Sequence, residues 1–248
     1  MISQIELKKV LSKLIRHGDE ILCHASINAI GKIDGGPDAL RDVILECLGS
    51  EGTFVMPAST RNEFVETGVF DLKNSKGDVG ALSESLRKHP DAIRSANPMT
   101  SYVAVGKNAS EYTRIFNSYL EDDSPMMKLR RRGGKLLLYG IGYAKCTMYH
   151  LSEERLKMDY NFYKTFKGTL VDFDGSRKPV EQQFFVRKSM DTKKDASYAG
   201  SLFEKSGSPL WKETLGQGII RSFYAADFDN FCTEELKKNP LLFLKEQS

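Results

Sequence analysis

The residues best equipped for chemistry gather around His150. Cys146 lies four residues before it and Thr147 three before, while Glu153 and Glu154 follow on the next turn. Segment 146–156 reads as a helix after the apolar run KLLLYGIG, which puts Cys146, Thr147 and His150 on one helical face. Histidine titrates near neutrality and suits catalytic proton transfer. A cysteine one helical turn away adds a potential nucleophile. The plain alternatives are a packed or capping histidine and a small buried cysteine.

A second cluster is backbone rather than side chain. Gly31, Gly35 and Gly36 crowd the loop INAIGKIDGG, between a predicted strand EILCHAS and a helix opened by Pro37. Free amides at such a helix start suit a phosphate or pyrophosphate. A tight connection that needs glycine only for positive φ reads equally well. His17, His24, His89 and His150 share no metal-ligand spacing with one another or with cysteine, so no metal is expected. The Walker loop, the G-x-S-x-G elbow and H-E-x-x-H are absent. The basic run LRRRGGK (129–135) has no interleaved aromatics and sits where a helix should end, so it reads as cations at a negative helix terminus. No nucleic-acid partner is expected from it.

These residues need elements to hold them. Apolar spacing predicts helices over 4–16, 37–48, 80–89, 146–156, 193–205 and 227–238. Buried strands are predicted at EILCHAS, TFVMP, YVAVG and KLLLYGIG. Strand, glycine turn, helix and strand in that order mark an α/β unit. Segment 164–188 alternates apolar and polar residues around Asp174-Gly175, a hairpin signal. The expected fold is a single compact α/β domain over 1–248, with a central mixed sheet flanked by helices and an added antiparallel hairpin portion in the C-terminal third. Residues 1–156 form its core with the ligand loop, and residues 157–248 shape a second cleft. The 248 residues are 40% hydrophobic and 28% charged with a formal net charge of +3, which excludes a disordered chain. No apolar run approaches the length of about eighteen that a membrane span needs. The N-terminus lacks a secretory pattern and the four cysteines form no C-x-x-C pair, so a cytoplasmic location is expected.

Three ordered blocks resemble the aminoglycoside 3-N-acetyltransferase family. The first is HASINAIGKIDGGPDALRDVILECLGSEGTFVMP (24–57), the second GALSESLRKHPDAIRSANPMTSYVAVG (80–106). The third is Ser124-Pro125 with GKLLLYGIGYAKCTMYHLSEE (134–154). The resemblance implies an acetyl-CoA-dependent enzyme that acylates an amine of a sugar by direct transfer. It implies coenzyme A contacts at His24, Ser26, Gly31, Ile33, Gly35, Gly36 and Ser101. It matches His150 to the catalytic histidine and Glu153 to the acidic residue that closes the motif. Thr147 becomes a candidate oxyanion donor. Asp191, within a stretch similar to a family F-D-T, becomes a candidate carboxylate partner for the imidazole.

The chain departs from that pattern at Asn97 and Thr100, where histidines are usual, and at Cys146, where asparagine is usual. Two alternatives follow: a coenzyme A-binding relative without transferase activity, and a cysteine-based acyltransferase working through Cys146. The C-terminal third is rich in lysine, which places a nucleotide-linked amino sugar ahead of an aminoglycoside antibiotic as acceptor. The corresponding roles are glycan biosynthesis and antibiotic resistance. The expected partners are a small-molecule acceptor and, compatibly, a second copy in a homodimer.

Overall fold

The computed structural model describes residues 1–189 and 191–245. Its main sheet has seven strands. β1 (Glu20–Ala25) lies at the centre, parallel to β2 (Thr53–Pro57) on one side. A 13-residue helix forms the crossover between β1 and β2. Further along the chain come β3 (Val69–Asp71), β4 (Ile93–Arg94) and β5 (Tyr102–Gly106). β6 (Lys135–Tyr139) pairs parallel to β1 on its other side. The hairpin strands β7 (Asn161–Val171) and β8 (Arg177–Arg187) are followed by β9 (Leu210–Leu215) and β10 (Gly218–Tyr224). The order β4-β5-β2-β1-β6-β10-β9 is parallel only in its middle, because β5 and β10 each pair antiparallel with both of their neighbours. The main sheet is therefore mixed. Strands from before and after residue 156 share it.

Alternation along the strands makes three layers. Ile21 and Cys23 of β1, Leu137 and Tyr139 of β6, and Phe54 and Met56 of β2 face one core. Covering that face are α1 (Gln4–Leu14), the short α2 (Ile27–Ile30), and α3 (Gly36–Leu48), the crossover helix. α1 starts with a capping box between Ser3 and Glu6. Leu22, Val55, Leu136 and Leu138 face the other core. The helices there come after α4 (Arg61–Thr67) and α5 (Ala81–Arg87) in the chain; they are α6 (Pro125–Arg131), α7 (Tyr149–Arg155), α8 (Ser197–Lys205) and α9 (Ala225–Lys238). β3, β7 and β8 form a separate three-stranded sheet over a small core of Phe64, Phe70, Leu72, Met99 and Leu170.

Several expectations shift in detail. α7 starts at Tyr149, because Tyr143–Lys145 forms a 3-10 turn and Cys146–Met148 lies outside the helix. The hairpin turns at Asp174-Gly175 as the sequence predicts; it begins three residues earlier than expected, at Asn161, and ends at Arg187. The arginines of the basic run sit at the end of α6, and each pairs with a carboxylate: Arg130 with Asp229, Arg131 with Asp122, Arg132 with Glu20. Among the described residues, no helix is long and apolar enough to cross a membrane.

α7 is anchored from beneath. Asp229 of α9 is buried and accepts from both terminal nitrogens of Arg155 at 2.8 Å, from Arg130 Nε at 2.8 Å and from Ser152 Oγ at 3.1 Å. One carboxylate thus locks α6, α7 and α9 together.

Candidate active site

The connections that leave the neighbouring parallel strands β1 and β6 run to opposite faces of the sheet, into α2 and α3 on one side and α7 on the other, and α/β folds place their ligand crevices at the carboxyl ends of such strands. His24 sits near that end of β1. It shares the face of Leu22, so its ring points toward the layer that holds α7. Thr147 meets it there: its backbone N–H donates to His24 Nε2 at 3.4 Å, and its hydroxyl lies 3.2 Å from the same nitrogen. Burial, with the nearby His150, pushes His24 down to about 4, so the ring is neutral.

His150 and Glu153 stand three residues apart on one face of α7. The imidazole Nδ1–H donates to Glu153 Oε2 at 2.6 Å. That bond fixes the tautomer and leaves Nε2 with its lone pair. Tyr119 stacks on the ring, with centroids 5.9 Å apart and planes 9° apart. Its loop is held down by Glu154, which accepts from the Tyr119 N–H at 2.9 Å and from the Tyr163 hydroxyl at 2.5 Å. Burial pulls the His150 pKa below its ordinary value, and the Glu153 carboxylate opposes that fall. Burial works against the Glu153 charge too, but His150 and Lys194 outweigh it and hold the carboxyl below the usual range. Lys194 Nζ donates to the same Oε2 at 2.9 Å. Arg61, at the start of α4, donates from Nε to the Met99 carbonyl at 2.8 Å, and its charge also disfavours the imidazolium.

The structure thus links His24, Thr147, His150 and Glu153. It separates other candidates from them. Asp191 is exposed and bonds locally, accepting from Ser189 Oγ at 3.3 Å, so the carboxylate that orients the imidazole is Glu153 instead. Met190, in the same stretch, lies outside the described residues. Cys146 is buried in the core, where desolvation pushes its thiol up to about 12. Such a thiol is not the nucleophile a covalent acyl carrier requires.

The glycine loop keeps its expected place after β1. Ser26 precedes α2, and Gly31, Gly35 and Gly36 have φ of +125°, +78° and +65°. A Cβ on Gly36 would meet nothing within 4 Å, so that backbone faces open space. Ile33 turns its side chain into the core and offers only backbone. Ser101 is buried beside Arg94, accepting from its Nε at 3.1 Å. Among the described residues, no group of three or more His, Cys, Asp or Glu is placed to hold a metal ion.

Tyr119, Arg61 and Lys194 had no signal in sequence spacing, because loops and elements far apart in the chain bring them to His150.

Similarity to known proteins extends over most of the chain. A family model described as aminoglycoside 3-N-acetyltransferase matches residues 22–237. Aminoglycoside N(3)-acetyltransferase III of Serratia marcescens is 28% identical over 225 residues, which cover 83% of this chain and 80% of the relative. The fold is similar to that of AAC-VIa with sisomicin bound, at a TM-score of 0.82 and 23% identity over 95% of this chain and 98% of that one. It is also similar to that of AAC-IIIb in a binary complex with CoASH, at a TM-score of 0.80 and 23% identity over 99% of both chains.

Proposed function

Because this chain belongs to the aminoglycoside 3-N-acetyltransferase family, we propose that it moves acetyl from acetyl-CoA directly to an amine of an amino sugar, with His150 as general base. The observation that carries the reading is the Glu153–His150 pair, whose Nδ1–H is spent on the carboxylate and whose Nε2 is free to accept a proton.

Acetyl-CoA supplies the acyl group as a thioester. His150 Nε2 takes a proton from the acceptor amine as its nitrogen forms the new bond to the acetyl carbon. The carbon–sulfur bond breaks, and the protonated imidazole returns that proton to the departing thiolate. Glu153 stabilises the imidazolium during the interval and holds the ring in one orientation, as the carboxylate of a catalytic triad does. The Thr147 hydroxyl, held beside His24, is the donor we assign to the acetyl oxygen as it gains charge. Tyr119 covers one face of the imidazole and limits its motion.

The open loop around Gly31, Gly35 and Gly36, with Ser26 and His24 at its root, is the segment we assign to coenzyme A. The positive-φ backbone and the unobstructed face at Gly36 suit close approach of a pyrophosphate. Ile33 contributes through its backbone. Ser101 is not part of that open face: it is buried against Arg94, whose guanidinium donates to it and to the Leu72, Ser75 and Ala58 carbonyls.

An aminoglycoside is the first acceptor to test, since AAC-VIa is a similar fold solved with sisomicin. A nucleotide-linked amino sugar is the second, favoured by the Arg61 guanidinium near His150. The lysine-rich surface argues less for the second than the sequence suggests: Lys167 pairs with Glu181, Lys178 with Asp172 and Lys194 with Glu153. Thiol release from acetyl-CoA against both acceptor classes tests the reading. Release with either class supports it and names the acceptor; coenzyme A binding without release to any amine would leave a binding protein.

A further inference from the structure

The His150–Glu153 pair has a third member that comes from far along the chain. Lys194 Nζ donates at 2.9 Å to the same Glu153 oxygen that accepts from His150. Its side chain is only 13% exposed and its ammonium sits 5.3 Å from the Tyr160 ring centre. The backbone around it is tied down as well. Lys194 forms an antiparallel bridge with Leu244, Asp195 N–H donates to Phe243 O at 2.8 Å, and Lys245 N–H donates to Lys193 O at 2.9 Å. A surface lysine needs none of this.

We propose that Lys194 is a positioning residue for acetyl transfer, placing a fixed positive charge on Glu153 so that His150 stays unprotonated and ready as a base near neutral pH. The proposal rests on the reading of His150 as the base. A buried carboxylate with the imidazole as its sole partner would bind the imidazolium too well, and the base would be lost to protonation. A second cation on the same oxygen keeps the carboxylate ionised and competes with the imidazolium for it. The C-terminal segment, through Phe243, Leu244 and Lys245, acts as the strap that keeps this cation in place.

The titratable and charged groups around the imidazole come from every side: His24 from β1, Arg61 from α4, Tyr119 from its loop, and Tyr149 and Glu153 from α7. Tyr160 lies beside Glu153. Arg187 acts on Lys194 from β8; among the described residues, Arg61 and Lys194 are the cations that act on the imidazole, and of the two it is Lys194 that bonds the carboxylate.

The test compares pH profiles of kcat/KM for the parent, Lys194→Met, Lys194→Gln and Lys194→Arg, with His150→Ala alongside. Both bonds end on one oxygen, so the ammonium is about 5 Å from the ring. A unit charge at that distance shifts a titration by roughly one to two and a half pH units at an effective dielectric of about 20–40. Removing it raises the proton affinity of His150, so the acidic limb should move up by that amount in Met and Gln variants. The rate should fall several-fold to tenfold near pH 6.5 and recover toward the parental plateau at higher pH. The arginine variant should restore the parental limb. Circular dichroism checks folding, and the His150 ring-proton titration followed by NMR in the same variants reads the shift without turnover. An unchanged limb and an unchanged titration in folded Met and Gln variants would overturn the proposal while leaving His150 as base. Parental turnover in His150→Ala would overturn the base reading itself.

Discussion

Glu153→Gln isolates the electrostatic part of the site, because it removes one charge and keeps the shape. The carboxylate oxygen lies 2.6 Å from His150 Nδ1, so the charge centres are about 4 Å apart, worth about 4 kcal/mol at an effective dielectric of about 20. Lys194 on the same oxygen already offsets part of that field. Taking half as the net loss gives about 2 kcal/mol, or roughly thirtyfold in rate. A glutamine that turns its amide group toward the imidazole also frees the ring to adopt the other tautomer, which adds to the loss. We predict a fall in kcat of roughly 30- to 1,000-fold with the KM for acetyl-CoA little changed, measured by thiol release at pH 7.5 under saturating acceptor. A kcat within threefold of the parent, in a variant that melts like the parent, would refute the claim that Glu153 stabilises the imidazolium.

Asp229→Asn should destabilise the protein by about 2–4 kcal/mol in urea, a range reduced from that of a fully buried pair because both arginines are 31% exposed; a loss under 0.5 kcal/mol would show that α6, α7 and α9 do not depend on it. The low proton affinity of His24, about 4 in the fold against about 6.5 in an unfolded chain, means the unfolded state takes up more protons between those pH values. Stability is then highest above pH 6.5 and falls by about 3 kcal/mol toward pH 4; urea melts across this range should show a shallower slope in His24→Gln, and equal slopes would count against the assignment. Cys146→Ala should keep kcat within about threefold, and intact mass after mixing the parent with acetyl-CoA alone should show no added acetyl, since a buried thiol pushed up to about 12 is un-ionised at neutral pH. An acetyl adduct that disappears in the variant would revive the covalent route.

How far the sequence reaches depends on how local the signal is. β1, α3 and β2 were legible because apolar runs, Pro37 and Gly49 punctuate them within a short stretch. The hairpin β7–β8 was legible from alternation around Asp174-Gly175. β9 and β10 carry a weaker hairpin signal, since their two-residue turn is Gly216-Gln217 between short, only partly alternating runs. At the site, His150 and Glu153 were legible because a helix brings i and i+3 together without help from the rest of the fold. Cys146 misled for a related reason: its spacing implies a helical turn, but the helix starts three residues later. Lys194 and Tyr119 were beyond reach, since their contacts with the dyad are set by the tail bridge at Leu244 and by the loop that Glu154 pins. Asp191 shows the converse, a residue picked by similarity of a short stretch whose backbone then turns it outward.

If His150 moves the proton in acetyl transfer, turnover of His150→Ala measured beside its coenzyme A affinity separates chemistry from binding. kcat should fall by about 100- to 10,000-fold with coenzyme A affinity unchanged within about twofold. A variant that turns over at the parental rate would contradict that role.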